Sequence, residues 1–301
     1  ASDEEEAAPA AAAPAAAAPA AAAPAAAAPA PAPAPAPKPA AAKPAPATKP
    51  APAAKTKNVY GREMPADAAP MGDQFLKMNY NREGEALEFA VSVYNSAAGG
   101  FQSGFSLALL STDLSTVPGS ATGWSSSDDM KTWTFNLDKD LKWSDGVPVT
   151  AHDFVYTWQY YADPEHAYDF TWYFGMLEVE NYGAVSKGEK SKEALGVEAT
   201  DDYTLVFHLD TPAPYVPGFM MYGTPLAKHQ AEKHGYYYSN DPATALSSNP
   251  WQLKEWIPNQ HAEYEPNLNY TGKWLPYVEN IKKVYGERKF DQYLAGEIDT
   301  V

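Results

Sequence analysis

Apolar residues recur at every second position in the segment 133–137, and this pattern predicts a half-buried β-strand. Trp133, Phe135 and Leu137 share one face, with polar residues between them. Successive side chains of a strand point to opposite faces of its sheet. The segment is therefore expected to place these three apolar side chains in a protein core.

A tight turn and a helix start follow this strand. Asp145 and Gly146 predict the turn, because aspartate can hydrogen-bond its own backbone and glycine tolerates positive φ. Thr150 is a candidate N-cap, and Asp153 stands three residues later, where a carboxylate meets unpaired backbone N–H groups. Apolar residues then recur on one helical face over 154–161. The predicted unit is strand, turn, extended link and capped helix.

Similar patterns predict the remaining elements. Further strands are predicted at 87–94, 203–209, 251–256, 261–265, 281–285 and from Glu297 onward. Helices are predicted at 105–110, from the N-cap Thr224 to Gly235, and on the apolar face of Phe290, Tyr293 and Leu294. Residues 58–85 show no clear pattern and are interpreted as a transitional segment.

The first 57 residues are almost entirely alanine and proline and contain no aromatic residue. Prolines recur at first every five residues and later alternate with alanine, which prevents a continuous helix. The composition favours an extended, semi-rigid stalk, which at ~3.1 Å per residue reaches on the order of 150 Å. Such a segment either holds a domain away from a membrane or through a wall, or is a disordered linker without a specific role.

The net charge of −16 resides in the rest of the chain, because acidic residues and lysines nearly balance within residues 1–57. Such acidity argues against nucleic acid and anionic membrane surfaces as partners. The sequence has no cysteine, which excludes disulfides, thiolate metal sites and a cysteine nucleophile. No run is long and apolar enough to span a bilayer.

The sequence contains no recognisable set of catalytic or metal-binding residues. His229 and His234 are five residues apart and do not share a helix face well. His229 and Glu232 could reach one metal ion, but no third ligand is near them in the sequence. Acidic residues over 138–145 lack the spacing of a calcium loop, and there is no phosphate-binding loop or nucleophile elbow. We therefore expect no cofactor, no metal site and no enzymatic activity.

Several separated blocks of sequence resemble a known family and stand in that family's order. They are the proline-glycine-alanine-threonine run at 117–122, the run 127–135, the Trp-Ser-Asp-Gly turn at 143–146, the run 150–154 and the Gly-Glu-Ile-Asp run at 296–299. Together they resemble the substrate-binding proteins of oligopeptide ABC importers, the bacterial extracellular solute-binding proteins of family 5. Two departures stand out: Asn249 replaces the family's glycine, and Leu268 replaces its usual proline.

The resemblance implies a mixed α/β fold of the periplasmic-binding-protein-like class II. It covers 87–301, about half of a full family member, so we expect the first lobe with its inserted subdomain and a truncated second lobe. The expected organisation is a stalk or linker at 1–57, the first part of lobe I at 58–110, the inserted subdomain at 111–209 and the remainder of lobe I, up to the hinge crossing, at 210–301.

The resemblance also implies a function and a site. The expected function is capture of oligopeptides outside the cytoplasm and their delivery to an ABC permease, by a monomer that the stalk could tether to the membrane. A family tyrosine that contacts the ligand matches Tyr173, and Trp172, Tyr94 and Asn95 are weaker candidates for ligand binding. Aromatic faces suit varied peptide side chains, although the cluster at 168–174 could equally be lobe core.

Two other interpretations stay open at this point. The same fold could bind another solute, such as a nickel complex or an oligosaccharide, because ligand specificity in the family lies largely in the second lobe. Alternatively, the chain could be a stalk-mounted surface interaction module without a transport role. Whether the natural gene continues beyond Val301 would discriminate between these interpretations.

Overall fold

Three β-sheets organise the part of the chain that the structure describes. The computed structural model describes residues 57–70, 73–80, 86–94, 104–287 and 290–300. All of them belong to one compact unit, Pro50–Val301. The predicted stalk lies outside the described residues except for Lys57.

Strands and short helices alternate along the described residues. The strands in chain order are β1 (Phe75–Tyr80), β2 (Ala108–Leu110), β3 (Thr116–Pro118), β4 (Ala121–Ser126), β5 (Thr132–Leu137), β6 (Val197–Asp201), β7 (Thr204–His208), β8 (Trp251–Ile257), β9 (His261–Pro266) and β10 (Asn280–Tyr285). The α-helices are α1 (Ala151–Ala162), α2 (Thr171–Gly175), α3 (Tyr182–Ser186), α4 (Val216–Phe219), α5 (Lys228–His234) and α6 (Phe290–Leu294). Single 3-10 turns lie at Pro164–His166, Lys192–Ala194, Met220–Tyr222 and Tyr238–Asn240.

The sheet with strand order β4-β5-β7-β6 is antiparallel throughout and supports the main core. Trp133 of β5 lies opposite Phe207 of β7, and Phe135 lies opposite Leu205. Phe135, Leu205 and Phe207 are completely buried. The strands predicted at 133–137 and 203–209 are therefore confirmed. Burial alternates along β5, whereas in β7 Val206 is buried together with its neighbours.

Helix α1 packs its aromatic face on this sheet. The ring centroid of Trp158 lies 5.0 Å from that of Phe207 and 4.9 Å from that of Phe174. Tyr161 stacks on Phe174 at 4.3 Å. Such ring pairs stabilise a core beyond the area that they bury. The apolar helical face predicted over 154–161 is confirmed.

The predicted turn and helix cap between β5 and α1 are also confirmed. Gly146 has φ +89, and its N–H donates to the Trp143 carbonyl at 2.8 Å. The Asp145 carboxylate accepts the N–H of Val147 at 3.0 Å, which closes the turn locally. Asp153 Oδ2 accepts the N–H of the N-cap residue Thr150 at 2.9 Å. Contacts between residues close in sequence thus form the turn and the cap of this unit.

The sheet with strand order β1-β10-β9-β8 joins distant parts of the sequence. β1 runs parallel to β10, whereas β10, β9 and β8 pair antiparallel. The strands predicted at 251–256, 261–265 and 281–285 are confirmed. β1 lies in the segment interpreted as transitional. Most of its side chains are half-buried, and Asn79 is its one buried residue. The strand therefore lacks the alternation of apolar and polar positions by which a strand is recognised in a sequence.

The strand predicted at 87–94 is wrong. The described residues there form turns, in which the Val91 N–H donates to the Glu88 carbonyl at 3.1 Å. Leu87, Glu88, Ala90 and Val91 are all buried, so burial does not alternate. The apolar residues pack in two different core clusters, Ala90 and Val91 in the larger one and Leu87 in the smaller one. They therefore do not form one face of a sheet.

The helix predicted at 105–110 is wrong as well. This segment contains β2, which pairs antiparallel with β3. The N–H of Gly119 donates to the Leu107 carbonyl at 3.0 Å and extends this pairing. Pairing in a short local hairpin therefore overrides the helical preference of this segment.

The helix predicted to begin after Thr224 begins later, at Lys228. Residues 223–227 have no regular secondary structure, and the N-cap is Ala227 in place of Thr224. In this link the N–H of Leu226 donates to Thr157 Oγ1 of α1 at 2.8 Å. The predicted end at Gly235 is confirmed, with φ +81 at this glycine.

The last described residues lie against the free edge of β1. Met78 forms an isolated parallel bridge with Thr300. Among the described residues, the strand predicted from Glu297 onward is present only as this bridge. The N–H of Asp299 donates to the Lys77 carbonyl at 2.8 Å, and its carboxylate accepts the Lys77 N–H at 2.7 Å.

No helix among the described residues has the length and apolar character needed to cross a membrane. The domain boundaries stay a prediction.

Candidate ligand-binding site

The aromatic segment 168–174 divides between core and surface. Tyr168, Phe170 and Phe174 are buried, whereas Trp172 is 53% exposed. The buried rings extend the core of α1, since Tyr168 stacks on Tyr161 at 4.6 Å. The buried rings therefore fit the interpretation of this segment as lobe core, whereas the exposed Trp172 fits its interpretation as a ligand-facing wall.

Tyr173 lies at the boundary between this core and the surface. Its ring stacks nearly parallel to Phe219 at 3.9 Å and to Phe170 at 4.7 Å. Its hydroxyl donates to the Phe219 carbonyl at 3.3 Å. Burial raises the pKa of Tyr173 to about 12. The phenol would be neutral near pH 7 even at its ordinary pKa of ~10, so it can act as a donor. The residue therefore has a clear packing role beside any contact with a ligand.

Tyr94 and Trp172, the exposed aromatic pair, lie side by side. Trp172 Nε1 donates to Tyr94 Oη at 3.1 Å. Both rings meet Phe170 edge-on, at 5.7 Å for Tyr94 and 5.1 Å for Trp172. Tyr94 is 47% exposed, so each member offers much of its surface to solvent. The structure thus brings together Tyr94, Trp172 and Tyr173, while Asn95 lies outside the described residues.

Asp169 orders the chain that leads to the exposed aromatic pair. Its Oδ2 accepts the Ser92 hydroxyl at 2.5 Å and the Tyr94 N–H at 3.0 Å. Its Oδ1 accepts the Val93 N–H at 3.0 Å. Sequence reasoning missed Asp169, because its partners are about 75 residues away and no local motif connects them.

A separate cavity of about 470 Å³ lies elsewhere on the described part of the chain. Its apolar lining includes Phe105, Trp251 and Trp274, and its cationic lining residues are Arg62 and Lys273. This combination suits a small apolar molecule that carries an anionic group. None of the sequence-predicted site residues lines it.

One cluster among the described residues resembles a metal site. Glu255, His261 and Glu263 each offer a ligand atom, all within 4.8 Å of one another. However, Lys282 Nζ lies 2.6 Å and Lys254 Nζ 3.4 Å from the Glu263 carboxylate. These ammonium groups already supply the positive charge that a cation would bring, so we interpret the cluster as an ion-pair network. His229, the other candidate ligand, lies 2.8 Å from Asp145.

Residues 115–301 match the family described as bacterial extracellular solute-binding proteins, family 5 Middle. The chain belongs to this family. The resemblance drawn from the sequence blocks is thereby confirmed, and so is the mixed α/β fold of the periplasmic-binding-protein class. Proteins of this family are binding proteins.

The names of relatives of this chain refer to different solutes. The periplasmic oligopeptide-binding protein OppA of Salmonella typhimurium is 35% identical over 193 residues, which cover 60% of this chain and 34% of that protein. The probable deoxycholate-binding periplasmic protein YgiS of Escherichia coli is 29% identical over 247 residues, covering 80% of this chain and 46% of that protein.

A solved family 5 structure shows the same architecture. OppA of Haemophilus influenzae in complex with RPPGFSPFR superposes with a TM-score of 0.68 and 30% identity, covering 75% of this chain and 45% of that one. The chain therefore spans less than half the length of the relatives it matches. OppA of Salmonella typhimurium and YgiS are periplasmic by name. OppA of Haemophilus influenzae shares the fold of this chain.

Proposed function

We propose that this chain contributes the first-lobe wall of a peptide-binding cleft in an extracytoplasmic protein that delivers oligopeptides to an ABC permease. The exposed aromatic pair carries the proposal. Two large aromatic side chains remain half-exposed although a hydrogen bond and a buried ring hold them in place. Rigid, amphipathic rings of this kind contact varied peptide side chains with little loss of conformational entropy.

Hinge closure is the mechanism that the fold favours. In a two-lobed binding protein the lobes close around the ligand, and a few residues at the crossing absorb the change in backbone angles. Here the pairing of Asp299 with Lys77 would fix the chain at the edge of β1 next to such a crossing. Bridging waters and backbone hydrogen bonds would tolerate different peptide sequences.

The partners and location follow from the same proposal. The protein would act as a monomer outside the cytoplasm, with permease subunits as its membrane partners. The alanine- and proline-rich stalk would tether it and allow it to reach the permease over a long distance. No nucleic acid is expected as a partner because of the net charge of −16.

Native mass spectrometry of the protein purified from its source tests peptide binding. The protein is mixed with an equimolar set of di- to nonapeptides. Each bound peptide is released from its complex in the mass spectrometer and identified by its mass. Peptide adducts that vanish on denaturation are the expected result. Absence of any peptide adduct, together with a tightly retained non-peptide solute, would show that peptide capture is wrong.

An amphipathic acid is the second candidate ligand. The relative YgiS, a probable deoxycholate-binding protein, matches 80% of this chain, and the cavity between Trp251 and Trp274 contains two cationic side chains. Deoxycholate added to the peptide mixture separates the candidates. A deoxycholate adduct without any peptide adduct would favour this ligand, whereas peptide adducts without a deoxycholate adduct would favour the first proposal.

A further inference from the structure

Asp169 has a role that the sequence did not reveal. We infer that Asp169 is a positioning residue for ligand binding, which acts through the exposed aromatic pair and does not itself contact the ligand. The inference rests on the proposed peptide-binding function and adds to it a residue that determines the geometry of the binding surface.

The carboxylate of Asp169 holds three consecutive residues. Its two oxygens accept the Ser92 hydroxyl and the N–H groups of Val93 and Tyr94, at 2.5, 3.0 and 3.0 Å. Hydrogen bonds to an ionised carboxylate are shorter and stronger than those between neutral groups. Because both oxygens accept hydrogen bonds, the carboxylate fixes the direction of the segment 92–94 as well as its distance from Asp169.

Asp169 is itself rigidly placed. It stands between Tyr168 and Phe170, both of which are buried. Tyr168 stacks on Tyr161 of α1, and Phe170 stacks on Tyr173 of α2. The turn that carries the Asp169 carboxylate is therefore anchored in the main core on both sides.

Tyr94 is consequently held at both ends. Asp169 binds its backbone, and Trp172 Nε1 donates to its hydroxyl at 3.1 Å. A side chain that is ordered before binding loses less conformational entropy when the ligand arrives. Loss of the Asp169 contacts should therefore weaken binding even though every ligand-contacting side chain is still present.

The substitution Asp169→Asn tests this inference in the full chain as isolated. It keeps the size of the side chain but removes the charge and one acceptor oxygen. Asp163→Asn is the matched control, because Asp163 also accepts a backbone N–H, that of Glu165, and is ion-paired with Lys192. The probe is the equimolar mixture of di- to nonapeptides, with its strongest-binding member used for the dissociation constant.

We expect Asp169→Asn to raise the dissociation constant about tenfold and Asp163→Asn to change it less than twofold. A double-mutant cycle with Tyr94→Ala separates positioning from general stability. If Asp169 acts through Tyr94, Asp169→Asn should cost less than twofold in the Tyr94→Ala background. An equal loss in both backgrounds, or no loss in the wild-type background, would overturn the inference.

Amide hydrogen exchange without ligand gives a second readout. Asp169→Asn should speed exchange at Val93 and Tyr94, and unchanged exchange would also overturn the inference. A wild-type protein that binds no peptide but shows the expected exchange would refute the proposed function alone. Should Asp169→Asn not fold, Ser92→Ala removes one of the three contacts, and it should weaken binding about two- to threefold; unchanged binding in this variant counts against the inference.

Discussion

Trp172 and Phe174 lie two residues apart in α2 and have opposite environments. Phe174 is completely buried, and Trp172 is 53% exposed. Side chains two positions apart in a helix point in nearly opposite directions, so one short helix serves the core and the candidate binding surface at once. The exposed member can therefore be changed with little effect on folding.

Replacement of Trp172 by alanine should weaken peptide binding and leave stability almost unchanged. We expect about a tenfold rise in the dissociation constant, equivalent to about 1.4 kcal/mol, because half of the exposed aromatic pair is lost. The melting temperature should change little, as for most surface substitutions. Titration calorimetry and thermal denaturation measure the two effects.

Tyr237→Ala is the control for this prediction. Tyr237 is 57% exposed and lies outside the candidate site, so its loss should leave the dissociation constant unchanged. Equal weakening by both substitutions would mean that Trp172 has no special role in binding.

Gly146 offers a prediction about stability at a single residue. Its φ of +89 is strained for any side chain, although no atom lies within 4 Å of an added Cβ. Gly146→Ala should therefore lower the free energy of unfolding by about 1 kcal/mol through backbone strain alone. Chemical denaturation measures it.

Gly123→Ala provides the comparison for Gly146. Gly123 also has no atom within 4 Å of an added Cβ, but its φ lies outside the left-handed region, although it flanks a register shift between β4 and β5. We expect a change within about 0.5 kcal/mol for this variant. Similar losses at both glycines would contradict the role of positive φ.

Two aspartates show how far residue-level prediction reached. Asp153 was recognisable as a helix-capping carboxylate, because the residues it caps are adjacent in sequence. Its second contact, the N–H of Lys228 at 2.9 Å, was not predictable. Asp169 was not recognisable at all, since every described partner comes from Ser92 to Tyr94. Local chemistry is readable from sequence, whereas contacts across the fold are not.

At the scale of elements, the same distinction explains part of the errors, although the local hairpin of β2 and β3 was mispredicted as well. β5 and the cap of α1 were predictable, because alternation and capping act within a few residues. The segment 87–94 was not, since its buried residues pack on two cores at once. Of the candidate site, Tyr94, Trp172 and Tyr173 could be named from the resemblance, but their mutual contacts could not.

Strands β9 and β10 are joined by an ion pair that should make stability depend on pH. The hydrogen bond from Lys282 is the main cause that lowers the pKa of Glu263, and Lys254 contributes further. An acid with a lowered pKa in the folded state stabilises the fold above its unfolded pKa and loses this contribution as pH falls through the folded pKa.

Lys282→Met should therefore lower the free energy of unfolding near pH 7 by up to about 1 kcal/mol. The difference from wild type should shrink as the pH falls below the ordinary glutamate pKa of ~4.3 and Glu263 becomes protonated. Urea denaturation at several pH values measures it. Lys142→Met, at an exposed lysine outside this network, should show no such pH dependence.

At the scale of the whole molecule, the net charge of −16 should guide ligand encounter. A negative protein attracts cationic ligands at a distance, and salt screens this attraction. The effect changes the association rate more than the dissociation rate.

Tri-lysine should therefore bind with an association rate that falls about tenfold between low and high salt. Tri-alanine is the control, and its rate should stay nearly constant. Stopped-flow fluorescence measures both rates. Equal salt dependence for the two peptides would show that the charge does not steer binding.

The parallel pairing of β1 with β10 has a consequence for the order of folding. Phe75 pairs with Asn280, so this ladder closes a loop that contains most of the described chain. Contacts between residues so far apart in sequence form late, because the entropy of closing the loop must be lost first. The β4–β7 sheet, by contrast, lies within 121–208 and can form as soon as that stretch is available. During synthesis, β1 thus emerges well before β10 and waits without this partner until residues 280–285 have followed.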